Sequence, residues 1–205
     1  MHSRPRGRIR TNDPAGLRAR VLDAAAAAFQ AQGYRGSSMQ DIVASAGVTG
    51  GALHHHFPTK LDLAHAVISE RVSNELEQTW IAAVEAAPTA AAGIVGVFDD
   101  VADALDRRGS VSGCPLGNLS LELALSDDAL RAAIETEYRT WRSAIASRLE
   151  RDAGAGLAPF VGDDAAGLAD TVVAMFTGAM SVAKADQDAE ALRSCARALR
   201  RMMDV

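Results

Sequence analysis

Aromatic residues, cysteine and proline are all scarce in this sequence. Of 205 residues, 4% are aromatic, 6 are proline and 2 are cysteine. The cysteines, Cys114 and Cys195, lie far apart and match no CxxC pattern, which excludes a disulfide scaffold and gives little support to a zinc site. No apolar run approaches the roughly 18 residues of a membrane span, and the N-terminus shows no apolar signal region. We therefore expect a cytoplasmic protein with no membrane partner.

The residues that are present favour helices and are unevenly charged. Hydrophobic residues make up 48% of the chain and alanine recurs in strings, which favours an all-α fold. The formal net charge is −5. Residues 1–60 nevertheless contain eight basic and three acidic side chains, whereas the remaining residues contain 13 basic and 23 acidic ones. A cationic N-terminal part joined to an anionic body indicates that the N-terminal part faces phosphate.

Helix-start and helix-stop signals follow one another closely in the N-terminal part. Asp13 is suited to cap a first helix, which is expected to end near Gly33. A capping box that begins at Ser38 starts a short second helix, and this helix stops at Gly47. Thr49 then caps a third helix. Two short helices around a glycine turn predict a helix-turn-helix.

A fourth, longer helix is expected after the third. Pro58 breaks the third helix, and the pattern Thr59-x-x-Asp62 is a further capping box. The apolar spacing that follows predicts one helix from Thr59 to Ala86. This helix connects the N-terminal part to the body.

The N-terminal part contains the segment VLDAAAAAFQAQGYRGSSMQDIVASAGVTGGALHHHFPTKLDL. Its signals are A-x-x-x-F near a helix end, G-Y-x-x-S, I-V-x-x-A-G-V and L-x-x-H-F-x-x-K. This segment resembles the DNA-binding region of the TetR/AcrR family of transcriptional regulators, and the resemblance covers residues 17–63 without a gap. The resemblance implies three helices and the start of a fourth, with the third, Thr49 to His56, in the major groove.

The resemblance also implies which residues contact double-stranded operator DNA. The candidate DNA-binding residues are Arg35, Ser38, Met39, Thr49, Gly50, Gly51, His54, His55, His56 and Lys60. The chain departs from the family pattern at Val43, where a small alanine is usual, and at His54, where a tyrosine is often placed against a phosphate. Because two glycines stand in the third helix, we expect few side chains to read bases, with DNA shape and backbone approach adding specificity.

Three consecutive histidines do not predict a metal site here. Neighbouring helix residues point about 100° apart, whereas metal-binding pairs on a helix need a spacing of three or four. We expect at least one of these imidazoles to contact phosphate instead. Lys60, beside a helix start, is expected to contact phosphate or to anchor a helix.

The N-terminal arginines Arg4, Arg6, Arg8 and Arg10 allow two interpretations. They form either an ordinary solvated tail or an arm that follows DNA along its minor groove or phosphates. The sequence leaves both open.

Beyond Ala86 the chain predicts five further helices, approximately over residues 89–108, 115–125, 127–152, 163–184 and 187–203. We divide the chain into an arm and helix-turn-helix domain over residues 1–60 and a helical domain over residues 61–205, with about nine helices in total. In the family such a body encloses a small organic ligand and pairs with a second subunit through its last two helices. The resemblance therefore implies a small-molecule effector and a homodimer.

The penultimate helix is expected to take part in dimerisation. Small residues that permit close helix approach are Gly167, Ala174, Gly178 and Ala179. Larger residues expected to supply buried area are Val173, Phe176 and Met180.

The candidate ligand-binding residues come from the apolar stripes of the body. They are Trp80, Phe98, Leu105, Cys114, Leu119, Tyr138, Trp141 and Met175. Few ionisable groups interrupt these stripes, so we expect a mainly apolar or aromatic effector, such as a drug or a plant-type phenolic. Cys114 precedes a helix N-terminus, whose macrodipole is expected to lower the thiol pKa, so a sensor of electrophiles or redox state is an alternative. A small buried thiol is the simpler interpretation.

No motif in the sequence points to catalysis or to a cofactor. The pair Ser181-x-x-Lys184 lacks the partner motifs of serine hydrolases. We therefore expect no enzyme, no metal and no cofactor. The leading hypothesis is a repressor that a small molecule releases from a palindromic operator. A helical enzyme and a scaffold that binds no DNA are the remaining alternatives.

Overall fold

A computed structural model of the protein describes residues 13–158 and 164–205. Within these ranges every regular element is a helix, which confirms the predicted all-α fold of about nine helices. Arg4, Arg6, Arg8 and Arg10 lie outside the described residues. The helices are α1 (Pro14–Gly36), α2 (Met39–Ala46), α3 (Gly50–His56), α4 (residues 60–86), α5 (Ala90–Arg108), α6 (Pro115–Leu123), α7 (Asp128–Gly154), α8 (Ala165–Asp186) and α9 (Glu190–Met203).

The capping residues read from the sequence cap the first three helices. Asp13 accepts a hydrogen bond from the backbone N–H of Gly16, Ser38 from that of Asp41, and Thr49 from that of Ala52. Gly47 ends α2 in the left-handed conformation, with φ 63° and ψ 39°. These caps set the turn between α2 and α3.

Helix α1 is interrupted near its C-terminal end. Gly33 has φ 77° and ψ 163°, which is not helical, and one further turn follows it to Gly36. A positive φ of this kind favours glycine. The predicted stop at Gly33 therefore marks a break in the helix, and not its last residue.

Helix α4 is continuous but not uniformly α-helical. It begins at a capping box in which Thr59 and Asp62 each accept a backbone hydrogen bond of the other. Segments Val67–Val72 and Glu77–Ile81 have π-helical hydrogen bonding, and α-helical segments flank them. Widened turns of this kind recur at functional sites and allow a helix to change register locally.

The centre of the body is a cluster of four aromatic side chains. Trp80, Phe98, Trp141 and Phe176 have ring centroids 4.9–5.8 Å apart and come from α4, α5, α7 and α8 respectively. Aromatic pairs at such distances contribute about 0.5–1.5 kcal/mol each beyond the area that they bury. The cluster thus fixes α4 against three other body helices.

A buried ion pair holds the corner between α4 and α5. Arg148 of α7 donates hydrogen bonds to the carbonyls of residues 84, 85, 87 and 88, where α4 ends. Its Nε also donates to Asp152 at 2.9 Å, and the other carboxylate oxygen of Asp152 accepts the N–H of Ala90 at 2.5 Å. The pair therefore satisfies backbone groups at the end of one helix and at the start of the next.

Helix α8 packs against α7 and α9, and the predicted role of its large side chains is wrong. Val173, Phe176 and Met180 are buried within the protomer's own core, as is Ala179, so they are not available to a partner. The face that remains exposed carries Ala174, Gly178 and Val182. By length and composition α8 is long and apolar enough to cross a membrane, but one such helix is weak evidence of a membrane span.

Candidate nucleic-acid interface and ligand cavity

Helix α3 presents its small and polar residues to the outside. Leu53 and Phe57 are buried against α1 and α2, whereas Thr49, Gly50, Gly51, His54 and His55 are exposed. A Cβ atom added at Gly50 or Gly51 would meet nothing within 4 Å. The glycines therefore leave an open backbone surface that another molecule can approach closely.

The remaining candidate DNA-binding residues surround this face in different ways. Arg35 is exposed at the end of α1, and Ser38 is exposed as the cap of α2. Met39 and His56 are half-buried, and the His56 ring lies 6.3 Å from that of Phe57. Among the described residues, no group of three or more His, Cys, Asp or Glu side chains is arranged to hold a metal ion.

Lys60 anchors a helix within the head. Its Nζ donates hydrogen bonds to the carbonyl oxygens of Tyr34, at 2.5 Å, and of Ser37, and lies 4.3 Å from the centre of the Tyr34 ring. Burial lowers the pKa of Lys60, and the nearby Glu122 offsets part of this effect. Both carbonyls lie at the C-terminal end of α1, where no further helical turn follows to donate hydrogen bonds to them. The lysine therefore joins the start of α4 to the end of α1.

The body contains a cavity of about 560 Å³ beside α4. Its wall is formed by α4, α5, α6 and α8, with Gln30 contributed by α1 of the head. A cavity of this volume suits a drug-sized molecule. A smaller one of about 220 Å³ lies between α1, α4 and α6 and shares Gln30, Val72, Glu75 and Pro115 with it.

The structure brings three of the eight predicted ligand-binding residues to this cavity: Trp80, Leu105 and Cys114. Phe98 and Trp141 are fully buried in the aromatic cluster behind the wall, and Met175 is half-buried outside it. The other two lie at different surfaces. Leu119 lines the smaller cavity, and Tyr138 lines an open groove between α6, α7 and α8.

Sequence reasoning missed the polar part of the cavity wall. Glu75, Gln78 and Thr79 of α4 line it, together with Asp100 and Arg108 of α5. A signal was present, because Glu75 and Thr79 fall at helical spacing with Leu76 and Trp80 and share their face of α4. The stripe carries polar and ionisable groups beside its apolar residues, so the expectation of few ionisable groups is wrong.

The expected low pKa of Cys114 is also wrong. The thiol is buried, and desolvation raises its pKa to about 11 although the N–H groups of Gly117 and Leu116 favour the thiolate. The helix N-terminus acts in the expected direction, but burial outweighs it. Few thiolates are present at neutral pH, which leaves little reactivity toward electrophiles.

Helix α6 connects the cavity to the head. Its N-terminal residues Cys114, Pro115 and Leu116 line the cavity. Near its other end, the carboxylate of Glu122 accepts the backbone N–H groups of Tyr34 and Arg35, both at 3.0 Å. A Cβ atom at Gly33 would lie 2.5 Å from this carboxylate, so the glycine is needed for the close approach as well as for its φ.

A second set of contacts joins α6 to α1 nearer the cavity. Gln30 donates through Nε2 to the carbonyl of Gly113 at 2.6 Å and accepts from Asn118 at 3.1 Å. These bonds lie at the point where the two cavities meet. A displacement of the N-terminal end of α6 therefore acts directly on α1 through these hydrogen bonds.

Helix α4 is tied to α1 by two ion pairs within its first π-helical segment. Arg18 forms a two-pronged pair with Glu70, one bond of which is 2.6 Å, and Arg71 pairs with Asp23 at 2.7 Å. Hydrogen bonding to Arg18 holds the pKa of Glu70 below its ordinary value. All four side chains are partly or largely exposed.

A helix-turn-helix head with an open third helix, joined to a helical body with a cavity, defines a DNA-binding regulator of transcription. Two family profiles match the chain. Residues 21–67 match "Bacterial regulatory proteins, tetR family", and residues 90–198 match "Transcriptional regulator LmrA/YxaF-like, C-terminal domain". The protein belongs to the TetR family of transcriptional regulators, whose members bind operator DNA and dimerise.

Individual relatives agree with this assignment. HTH-type transcriptional regulator LmrA of Bacillus subtilis is 30% identical over 135 residues, which are 65% of this chain and 71% of LmrA. HTH-type transcriptional repressor DhaR of Mycobacterium sp. (strain GP1) is 29% identical over 126 residues, 61% of each chain. The crystal structure of regulatory protein TetR from Rhodobacter sphaeroides has a TM-score of 0.81 at 24% identity, covers 91% of this chain and 98% of its own, and shares the fold.

Proposed function

We propose that this protein is a cytoplasmic repressor that a small molecule releases from its operator. The observation that carries the proposal is that one helix, α4, begins beside the DNA-facing helix and forms a wall of the 560 Å³ cavity. A molecule in the cavity therefore touches the element that positions the head. The similarity to a relative named as a repressor supports repression, and not activation, as the effect of operator binding on transcription.

The proposed DNA-binding domain comprises residues 1–60, and α3 enters the major groove. Thr49, His54 and His55 are the exposed side chains that reach the DNA, while Gly50 and Gly51 bring the backbone close to it. Side-chain contacts of this kind are few, so sequence-dependent DNA shape supplies part of the specificity. The exposed Arg35 lies where it can meet a phosphate.

Lys60 has a different role in this proposal from that of a phosphate contact. Its ammonium group is already engaged by two carbonyl oxygens and the Tyr34 ring. It therefore acts through the packing of α1 against α4. Removing it weakens binding to every DNA sequence, because the head as a whole is less well ordered.

Residues 61–205 form the proposed effector-binding and dimerisation domain, and the last two helices meet a second copy. The exposed face of α8 offers Ala174, Val182 and Gly178, and a Cβ atom added at Gly178 would meet nothing within 4 Å. Small residues allow helices to approach closely, and a two-fold axis then pairs the same face of both copies. A dimer of heads fits a palindromic operator with half-sites one helical turn apart.

Effector binding is coupled to DNA through α4 and α6. A ligand that contacts α4 near its π-helical segments, and α6 near Cys114, favours a different placement of both helices. Both helices are tied to α1, α4 by ion pairs and α6 by the Glu122 carboxylate. The heads then no longer match the operator half-sites, and by reciprocity operator DNA weakens effector binding by the same factor.

Two alternatives lose their physical basis. A sensor that reacts through Cys114 needs an activated thiol, whereas burial raises the pKa of Cys114. An enzyme needs a convergent set of activated groups, and the homologues and the fold are those of transcriptional regulators.

A quantitative gel-shift assay with DNA from upstream of the gene tests the DNA-binding part. Thr49→Ser keeps the capping oxygen and removes a methyl group, so it is expected to change the preferred sequence. His55→Ala is expected to weaken binding, whereas the control His65→Ala, an exposed histidine of α4 outside the reading face, leaves it unchanged. Binding should also weaken steeply with salt. Equal effects of His55→Ala and His65→Ala contradict the assignment of α3.

The effector part is tested by measuring ligand affinity with and without operator. A thermal-shift screen finds ligands of the folded body, since specific binding raises the melting temperature. A true effector binds less tightly when operator is present. A ligand that fills the cavity and binds equally well in both states contradicts the coupling.

A further inference from the structure

Among the aspartates of α5, the one in the cavity wall differs from the other three. Three of the four aspartates of α5 pair with arginines of α9: Asp99 with Arg200, and Asp103 and Asp106 with Arg193. The fourth, Asp100, lines the cavity and takes part in none of the ion pairs among the described residues.

Helix α4 also contributes to the cavity wall an acidic side chain without an ion-pair partner, although the exposed Glu77 outside the wall likewise has none among the described residues. Glu70 pairs with Arg18 and Glu85 pairs with Arg151, whereas Glu75 lines both cavities and has no ion-pair partner among the described residues. Its side chain is accessible to solvent, yet burial of the surrounding wall raises the pKa of its carboxyl group. A positively charged group in the cavity can therefore pair with this carboxylate without displacing a protein partner.

One arginine lies at the edge of the same cavity. Arg108 lies in the last turn of α5, and its charge offsets part of the rise in the pKa of Glu75. The two side chains are not close enough to form an ion pair. Its side chain is exposed. Two carboxylates and one guanidinium leave the described lining with a net charge of −1. The field inside the cavity therefore favours a cation over an anion.

The rest of the wall suits the body of an amphipathic molecule. Trp80 and Phe176 contribute aromatic surface, and Leu76 and Met180 contribute aliphatic surface. Aromatic faces attract cations as well as apolar groups. Gln30, on the wall that α1 provides, has an amide oxygen that accepts from Asn118 and keeps a second lone pair for a protonated amine.

We propose that the effector is an amphipathic organic cation whose protonated amine pairs with Glu75 and Asp100 while its ring system lies against Trp80 and Phe176. This inference rests on the proposed function, because it assigns the chemical class of the effector for that cavity. A neutral phenolic of the same size leaves both carboxylates unpaired. An anion meets one arginine and two repelling carboxylates, and all three side chains are exposed.

Three pyrene derivatives that differ in charge test the proposal: 1-pyrenemethylamine, 1-pyrenemethanol and 1-pyrenecarboxylate. The full-length protein contains two tryptophans, and Trp80 lines the cavity, so energy transfer from tryptophan to pyrene reports binding. The amine is expected to bind at least ten-fold more tightly than the alcohol or the carboxylate. Equal or tighter binding of the alcohol or the carboxylate overturns the proposal, as does failure of all three to bind.

Substitutions test the two carboxylates separately. Glu75→Gln is expected to weaken amine binding at least ten-fold and Asp100→Asn to weaken it several-fold, and neither should weaken binding of the alcohol. The control Glu77→Gln changes an exposed glutamate of the same helix outside the cavity wall and should leave both affinities unchanged. Unchanged amine binding by both cavity variants, with melting temperatures like that of the wild type, overturns the proposal.

The gel-shift assay separates this inference from the proposed function. If the amine binds with the expected dependence on Glu75 but does not release operator DNA, the cation site stands and the proposed function is wrong. If the carboxylate or the alcohol binds more tightly and releases DNA, the proposed function stands and the cation class is wrong.

Discussion

The two ends of α4 are held by different kinds of contact. At the body end, the buried Arg148 and Asp152 satisfy backbone groups of both α4 and α5. Nearer the head, beyond the anchor that Lys60 forms at the first residue of α4, the ion pairs of Glu70 with Arg18 and of Arg71 with Asp23 join α4 to α1 and are reached by water. The first arrangement is fixed by its neighbours, whereas the second can break and form again at small cost.

This difference indicates where α4 moves. A buried network tolerates little displacement, because each lost bond leaves an unsatisfied polar group. Exposed ion pairs between long side chains follow a shift of an ångström or more without such a loss. We therefore expect the body end to act as the fixed point of α4 and the head end to be displaced when the cavity is filled.

The largest expected effect comes from breaking the fixed end. Arg148→Met removes hydrogen bonds to four carbonyls and leaves the Asp152 carboxylate buried without its partner. Removing one member of a buried ion pair typically lowers stability by about 3–5 kcal/mol. The control is Arg151→Met, which breaks the exposed pair with Glu85 and should lower stability by less than about 1 kcal/mol. Urea unfolding measures both, and similar losses contradict the assignment of a fixed end.

Asp152→Asn tests the same corner through its pH dependence. The Ala90 N–H and Arg148 hold the pKa of Asp152 below its ordinary value despite burial, so the folded state releases this proton more readily than the unfolded chain. The resulting stability is present at pH values above the ordinary aspartate pKa of about 3.9 and is lost as the pH falls through the lower folded value. The variant should lose about 1.5–3 kcal/mol at neutral pH and less in acid.

Urea unfolding at a series of pH values measures this difference. The difference in free energy of unfolding between the wild type and Asp152→Asn should narrow as the pH is lowered below about 3.9, the ordinary pKa of aspartate. A gap that stays constant with pH indicates that the carboxylate charge is not what stabilises the corner.

The head was predictable from sequence because its signals are local. Ser38, Thr49 and Thr59 cap helices within three residues of themselves, and Gly47 adopts the left-handed conformation that ends α2. Such signals require no knowledge of distant contacts. The fold and the exposed face of α3 follow from them and from the family resemblance.

The cavity was not predictable in the same way because distant contacts form it. Trp141 and Phe98 belong to apolar stripes just as Trp80 does, yet only Trp80 reaches the cavity, since the other two are enclosed by the aromatic cluster. The role of Glu75 depends on which arginines lie near it, and these come from another helix. Cys114 shows the same limit, because its burial is decided by packing and not by its place before a helix.

Breaking the contact between α6 and the head has an intermediate expected effect. Glu122→Gln replaces a carboxylate that accepts the N–H groups of Tyr34 and Arg35 with an amide, which accepts them more weakly. The expected loss is about 1 kcal/mol, because the site is partly open to water. Hydrogen exchange at the amides of these two residues should become faster.

The exposed Glu150 of α7 offers a matched control for this change. Glu150→Gln removes the same charge without touching α1, so exchange at Tyr34 and Arg35 should stay as in the wild type. If Glu122→Gln leaves exchange at both amides unchanged, α6 does not hold the end of α1.

The smallest stability effect is expected at the adjustable end of α4, where the consequence for regulation is nevertheless specific. Glu70→Gln breaks the exposed pair with Arg18 and should cost about 0.2–1 kcal/mol, less at high salt. Glu135→Gln removes a pair of the same kind with Arg139 within α7, so its stability loss should be similar. Only Glu70→Gln removes a contact between α4 and α1, so only that variant should change the ratio of operator affinities with and without effector. Equal ratios in both variants, measured by gel shift, contradict the displacement of the head end of α4.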